Sequence, residues 1–388
     1  MERFLRSQAA LFLFFTVSIP ISETGAQTSS QRRATEIFRL GGLNPTEETA
    51  FSQEPRLLVD SERNVYVRLA NEGQIRVFSS RGEFIRSIGR LGEGPGEFRT
   101  VAGHGFIADT LWVRNWPTPR ISLFSKAGVH LSTLSTRVDF DQAFGMPEGV
   151  RALLIEGRVF YVRETLPFNS PPRLMVPLIV GDRDYSNQDT LGFESLPKGL
   201  VIPNVGHFRY RPFPIPCLYS LAPDGSGIVV VNWDPKEPGL AEVSRFKPGG
   251  SIVFRKELSF PALRIPEQLI DEAISIGVSM AEPAIEASRR AGASVPRDIR
   301  SAVRDGLSIP RDFPPVRNVV FGVDETIWLQ RMVDLEGGPW VVIDGGGRSL
   351  FEVDLPPSLT VQQAFRDAIW GTMVDDLGIP YVIRLDLL

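Results

Sequence analysis

A short phrase recurs along this chain. Its clearest copy is Ile75-Arg76-Val77-Phe78, then Gly82-Glu83-Phe84-Ile85-Arg86-Ser87-Ile88-Gly89, then Gly94-Pro95-Gly96-Glu97-Phe98. A fainter copy follows at Ile121-Ser122-Leu123-Phe124 and Gly128-Val129-His130-Leu131. Each copy is preceded by a hydrophobic pair ending in a cation, Tyr66-Val67-Arg68 and Trp112-Val113-Arg114. Self-similarity of this kind constrains the fold more than any single residue, because each unit is one supersecondary element that must bury its faces against its neighbours.

Six turns align along the chain: Asp60-Ser61-Glu62-Arg63-Asn64, Ala108-Asp109-Thr110, Glu156-Gly157-Arg158, Pro223-Asp224-Gly225-Ser226-Gly227, Asp324-Glu325-Thr326 and Asp375-Asp376-Leu377-Gly378. Most steps are about 50 residues, in the range of four-stranded propeller blades. Within a unit, a strand such as Gly105-Phe106-Ile107-Ala108 precedes the turn, and Leu111-Trp112-Val113-Arg114 follows it. A third strand alternates apolar residues, and a glycine turn leads to a fourth. The last unit ends early: Tyr381-Val382-Ile383-Arg384 reads as its second strand. Near the N-terminus, Glu36 to Leu40 is a strand without a blade. It is expected to complete the final blade, since an open array leaves aggregation-prone edges. The expected fold is therefore all-β, a six-bladed β-propeller over residues 27–388 with a small α-helical insertion.

The run from Gly82-Glu83-Phe84 through Gly94-Pro95-Gly96-Glu97-Phe98 resembles the NHL-repeat signature, and the chain resembles secreted bacterial six-bladed β-propeller proteins. The likeness is sharp over residues 57–131 and vague beyond them. It implies a shape. Proteins of this type include binding modules, lactonases and lyases, so it does not choose a function.

Residues 1–26 read as a secretory signal. Arg3 and Arg6 form a positive n-region, Ala9 to Ile19 an apolar h-region, and Thr24-Gly25-Ala26 a cleavage site of small residues. The apolar stretch is shorter than a bilayer span, so no stable membrane span is expected after cleavage. The expected location is periplasmic or extracellular. Cys217 is the sole cysteine, which leaves the fold to its core rather than to disulfides. The formal net charge of -4, without basic blocks, argues against nucleic acid as a partner. A monomer is expected.

Pro266 to Gly306 breaks the β pattern between blades four and five. Leu269, Ile270, Ala273, Ile274 and Ile276 recur at helical spacing. Pro283 is placed to open a second helix, Gly292 to cap it, Ser294 with Pro296 to open a third, and Gly306 to close it. The helices either cover a blade edge or serve as a lid or docking element.

Chemistry is harder to read. The aspartates at 60, 109, 224, 324 and 375 sit in tight turns, where Asp caps backbone amides. No nucleophile elbow is present, and Gly92 to Phe98 lacks the lysine and helix of a P-loop. His104, His130 and His207 show no zinc spacing, whereas a calcium site from carboxylates and carbonyls leaves no sequence signature. The sequence requires no cofactor. One constellation stands out: Arg68, Arg114 and Arg163 end second strands, with Asn232, Arg331 and Arg384 near the same point in later units. Displayed as a ring, they would focus positive potential at the channel mouth and bind an anion through planar forks. Trp116, Trp233 and Trp340 lie just beyond, suited to stacking on a sugar, and His104 falls near the channel. The expected function is a non-catalytic binding or scaffold module for a small anionic ligand, glycan or protein partner. The alternative is a propeller hydrolase or lyase holding a metal on channel carboxylates. The bland alternative for each arginine is an ion pair with a neighbouring blade.

Overall fold

The computed structural model describes residues 30–388 except 117–119, 136–148, 154–158, 163–174, 182–188, 196–198, 209, 211, 214–217, 248–249, 308 and 335–336. Cys217, Arg163 and the leader expected over 1–26 lie outside the described residues.

Six sheets of four or more strands follow one another along the chain. Blade one is Arg56–Val59, Val65–Leu69, Gln74–Phe78 and Phe84–Ile88; blade two is Thr100–Ile107, Thr110–Trp116, Arg120–Ser125 and His130–Ser135. Blade three is Gly149–Leu153, Val159–Val162, Met175–Gly181 and Asp189–Ser195; blade four is Leu218–Leu221, Ile228–Trp233, Leu240–Phe246 and Ile252–Ser259. Blade five is Val316–Phe321, Ile327–Arg331, Trp340–Ile343 and Ser349–Val353. Blade six takes Thr360–Phe365, Ala368–Val374 and Pro380–Leu387 from the C-terminus and Ala34–Gly41 from the N-terminus. First strands pack side by side between blades two and three, four and five, five and six, and six and one, as in a β-propeller with the first strands around its axis.

Alternation along each strand sends one set of side chains to each neighbouring blade. Between blades five and six lie Trp328, Trp340 and Phe351 with Ile369, Ile383 and Leu385; between six and one, Trp370 and Val382 with Val65, Val67 and Phe78. Trp340, expected as a loop aromatic, is in a strand and buried here. Sheet faces buried on both sides are why the strands read as nearly continuous apolar runs.

The closing strand is where the sequence placed it. Ala34–Gly41 pairs antiparallel with Pro380–Leu387, with Leu40 opposite Val382. A strand just before it, Ser30–Arg32, adds in parallel to the edge of blade five. The frame of blade six, however, differs from expectation. Tyr381 to Arg384 belongs to its third strand, and the turn at Asp375 joins the second and third. The misalignment has a chemical cause, because the same aspartate turn recurs at different hairpins. The Asp60 carboxylate accepts from the amides of Glu62 and Asn64 at a first hairpin. Asp375 accepts from Leu377 and Ile379 at a second, and Asp344 from Gly346 and Arg348 at a third.

The insertion lies between blades four and five. It contains one long helix, Glu267–Arg290, and a short one, Ile299–Gly306. Pro283 does not open a helix; it sits inside the long one. The apolar stripe Ile270, Ile274, Ala281 and Ile285 is buried on both sides of it, so packing outweighs the missing proline hydrogen bond. Gly292 adopts a positive φ of 76° and ends the helix, its amide donating to the Arg289 carbonyl. The short helix is capped by Asp298, which accepts from the Ser301 amide, rather than by Ser294. Both helices share a core with a two-stranded ribbon between blades three and four, Leu200–Ile202 and Gly206–Phe208. The cap is therefore assembled from chain on both sides of blade four. Among the described residues no helix is long and apolar enough to cross a membrane.

Candidate functional site

The axis of the ring holds a cavity of about 430 Å³. Its described wall comes from the first strands of blades one, two, four, five and six, with Arg68 added from the second strand of blade one. The polar side chains on it are Arg56, Arg68, His104, Ser220, Asn318, Thr360 and Gln362. No aspartate or glutamate belongs to that described wall. Several of the polar groups are committed to the scaffold. Gln362 accepts from the Leu57 amide and donates to the Pro55 carbonyl, and the Ser220 hydroxyl accepts from the Phe321 amide.

The cations are placed by hairpin register. Counting outward from the turn at Asp60 to Asn64, Arg56 of the first strand stands directly opposite Arg68 of the second. Residues opposite each other in an antiparallel pair share a face, and like charges there repel. Arg56 is exposed and has no hydrogen bond or ion pair among the described residues. Arg68 donates once, to the Val101 carbonyl at 3.0 Å, and its buried Nε has no partner. Burial, and then the charges of Arg56 and Arg114, push the Arg68 guanidinium down to about 10, so it remains a cation at neutral pH.

His104 enters from the first strand of blade two. Its Nε2 is sealed from solvent without a partner. Burial first, and then the Arg68 charge, hold the ring well below the usual histidine range, against a hydrogen bond that the ring donates to the Tyr66 backbone. The imidazole is therefore neutral at pH 7, and the charge at the site is that of the arginines.

The expected ring of six is only partly assembled. Arg68 and Arg114 occupy equivalent positions in blades one and two, each three residues beyond the residue paired with the third-strand phenylalanine, Phe78 or Phe124. By the same register Val231 holds that position in blade four and Gln330 in blade five. Asn232 and Arg331 are therefore each one residue late, which turns them to the other face of the sheet. Asn232 is exposed. Arg331 pairs with Glu352 at 3.7 Å and stacks on Phe260. Arg384, on the third strand of blade six, is buried, pairs with Asp386 at 2.8 Å and lies over Trp370. Trp116 is exposed at the end of its strand, and Trp233 is half-buried. Arg56 is missed by the sequence pattern because that pattern follows second strands only.

The paired arginines form a second, distinct set. Arg245 and Arg384 hold the same position on their third strands, one residue before the β-bulge against the fourth. Each reaches into the next blade's third-to-fourth turn, Arg245 to the Gly345 carbonyl and Arg384 to the Ser80 carbonyl. Arg245 also takes the Glu325 carboxylate at 2.7 Å. Among the described residues no cluster of three or more His, Cys, Asp or Glu is arranged to hold a metal. The described wall thus offers no ligand set for the carboxylate-held metal of the alternative reading, and its arginines repel a cation.

A family described as a 6-bladed beta-propeller, DUF5128, matches residues 43–110, which hold both Arg56 and Arg68. No curated protein matches the chain. Among solved structures, it is similar to a putative exported protein from Bacteroides fragilis at 11% identity and a TM-score of 0.44, covering 92% of this chain and 98% of that one. It is similar to a member of the duf4221 family from Bacteroides vulgatus at 9% identity and a TM-score of 0.49, covering 93% and 99%. It is also similar to virginiamycin B lyase from Staphylococcus aureus at 12% identity and a TM-score of 0.36, covering 90% and 99%. Likenesses at these values assign no function to this chain.

Proposed function

We propose that this protein is an extracytoplasmic propeller that binds an anionic ligand at the arginine-bearing end of its axial cavity. The observation that carries the reading is the Arg56–Arg68 pair, two cations directly opposite across a hairpin with no carboxylate partner among the described residues. Such an arrangement disfavours folding unless something else offsets the repulsion. An anion held by two guanidinium forks does so, and charge-assisted hydrogen bonds are the strong ones. The leader-like segment over residues 1–26 and the lack of any possible internal disulfide with one cysteine fit export of a chain held together by its core. The secreted NHL-like resemblance supports the same location.

The test is chemical denaturation of the purified protein with and without sulfate at constant ionic strength. Sulfate is expected to raise the unfolding midpoint of the wild type, and Arg68→Met is expected to abolish that gain. Equal gains in wild type and variant would overturn the reading.

A further inference from the structure

Resting on that reading, we infer that the ligand is a small organic phosphate monoester, its doubly charged phosphoryl group held between Arg56 and Arg68 and its body lying along the axial cavity. Three observations lead there. First, the cationic charge is more than one anionic oxygen pair balances. Arg68 feels both Arg56 and Arg114, and the described cavity wall supplies no acid. A monoanion leaves much of that repulsion in place, and a dianion offsets it. Second, Arg56 and Arg68 are cross-strand neighbours, so their forks converge on one group rather than on two separated carboxylates. A tetrahedral phosphoryl group presents three oxygens, enough to accept from both forks at once. Third, the cavity of about 430 Å³ is far larger than a phosphoryl group and lies within the range of small-molecule sites. Beyond the arginines its wall carries the polar side chains of Asn318 and Thr360. The Asn318 side-chain oxygen accepts from the Val319 amide, which leaves its amide nitrogen to donate to a ligand hydroxyl or carbonyl.

Isothermal titration calorimetry of the purified protein tests this with five probes at equal ionic strength: glucose 1-phosphate, inorganic phosphate, sulfate, acetate and glucose. At pH 7.5, glucose 1-phosphate is expected to bind at least about tenfold more tightly than acetate, since it is a dianion on charge-assisted bonds. It is also expected to bind more tightly than inorganic phosphate, because its body fills the cavity. Between pH 7.5 and pH 5, binding of the ester relative to sulfate should fall, because phosphate monoesters lose their second charge near pH 6 and sulfate does not. Arg68→Met should remove both, and Arg56→Met, at an exposed position, does so without disturbing a buried group. Acetate binding as tightly as sulfate would overturn the dianion, and inorganic phosphate matching the ester would overturn the organic body. Either result leaves the anion site standing. Failure of every anion to bind would remove the reading beneath it as well.

Discussion

Two sets of arginines in this ring have opposite surroundings. At the seams, Arg245 and Arg384 reach from one blade to a turn carbonyl of the next, and each also holds a carboxylate, Glu325 of the next blade for Arg245 and Asp386 of its own strand for Arg384. Along the axis, Arg56 and Arg68 face each other and, among the described residues, find neither acid nor, for Arg56, any polar partner. The residue type is the same, and so is the ring. The difference teaches that a guanidinium in a propeller is structural when it meets an acid as well as a carbonyl, and available for a ligand when it faces another cation instead.

The sharpest break of that contrast comes from the seams. Deleting residues 30–41 removes the strand that closes blade six and the one that edges blade five. The expected outcome is loss of a cooperative unfolding transition by circular dichroism. A truncated chain that melts like the full one would mean that the ring is closed elsewhere. Next in size, Arg384→Met removes a buried charge bonded to Asp386 and Ser80. The expected loss is about 1.5–3 kcal/mol in urea unfolding, the usual worth of hydrogen bonds to a charged group.

The axis gives smaller effects. His104 is a base whose folded pKa lies below its unfolded one, so the unfolded chain binds more protons as pH falls. Its contribution is present above the ordinary histidine range and is lost as pH drops below about 6.5. One such proton gives a slope of at most about 1.4 kcal/mol per pH unit. His104→Asn is expected to flatten the stability profile between pH 6.5 and pH 5, as followed by urea midpoints. An unchanged slope would place the acid sensitivity elsewhere. Smallest of all, Arg68→Met is expected to leave intrinsic stability within about 0.5 kcal/mol, as for a residue outside any stabilising network, or to raise it by relieving the repulsion from Arg56. A loss as large as that of Arg384→Met would erase the distinction between axis and seam.

Much of the ring is legible in the amino-acid sequence. The phrase over residues 75–98, the aspartate turns and the orphan strand before Leu40 locate the blades and their closure. Hairpin turns carry local chemistry, and local chemistry is what a sequence displays. The frame of blade six is not legible, because Asp375 and Asp60 cap their turns by the same two amide bonds at different hairpins. Pro283 looks like a boundary because its effect on the backbone is local, while the burial of Ile274 and Ile285 that overrides it is tertiary. At the site, Arg68 is found from its place at a strand end. Asn232 and Arg331 are misplaced by one residue, and a slip of one reverses the face. Arg56 is recoverable by pairing residues outward from the turn after Val59. That Arg245 meets Glu325 while Arg56 meets no acid among the described residues depends on which blades meet, which no stretch of sequence states.

The most direct measurement is an anomalous difference map from crystals of the wild-type protein soaked in selenate. The strongest peak is expected in the axial cavity between the guanidinium groups of Arg56 and Arg68, and it should vanish in Arg68→Met. A cavity without selenate, with peaks confined to the outer surface or to the seams at Arg245 and Arg384, would contradict the division between the two sets of arginines.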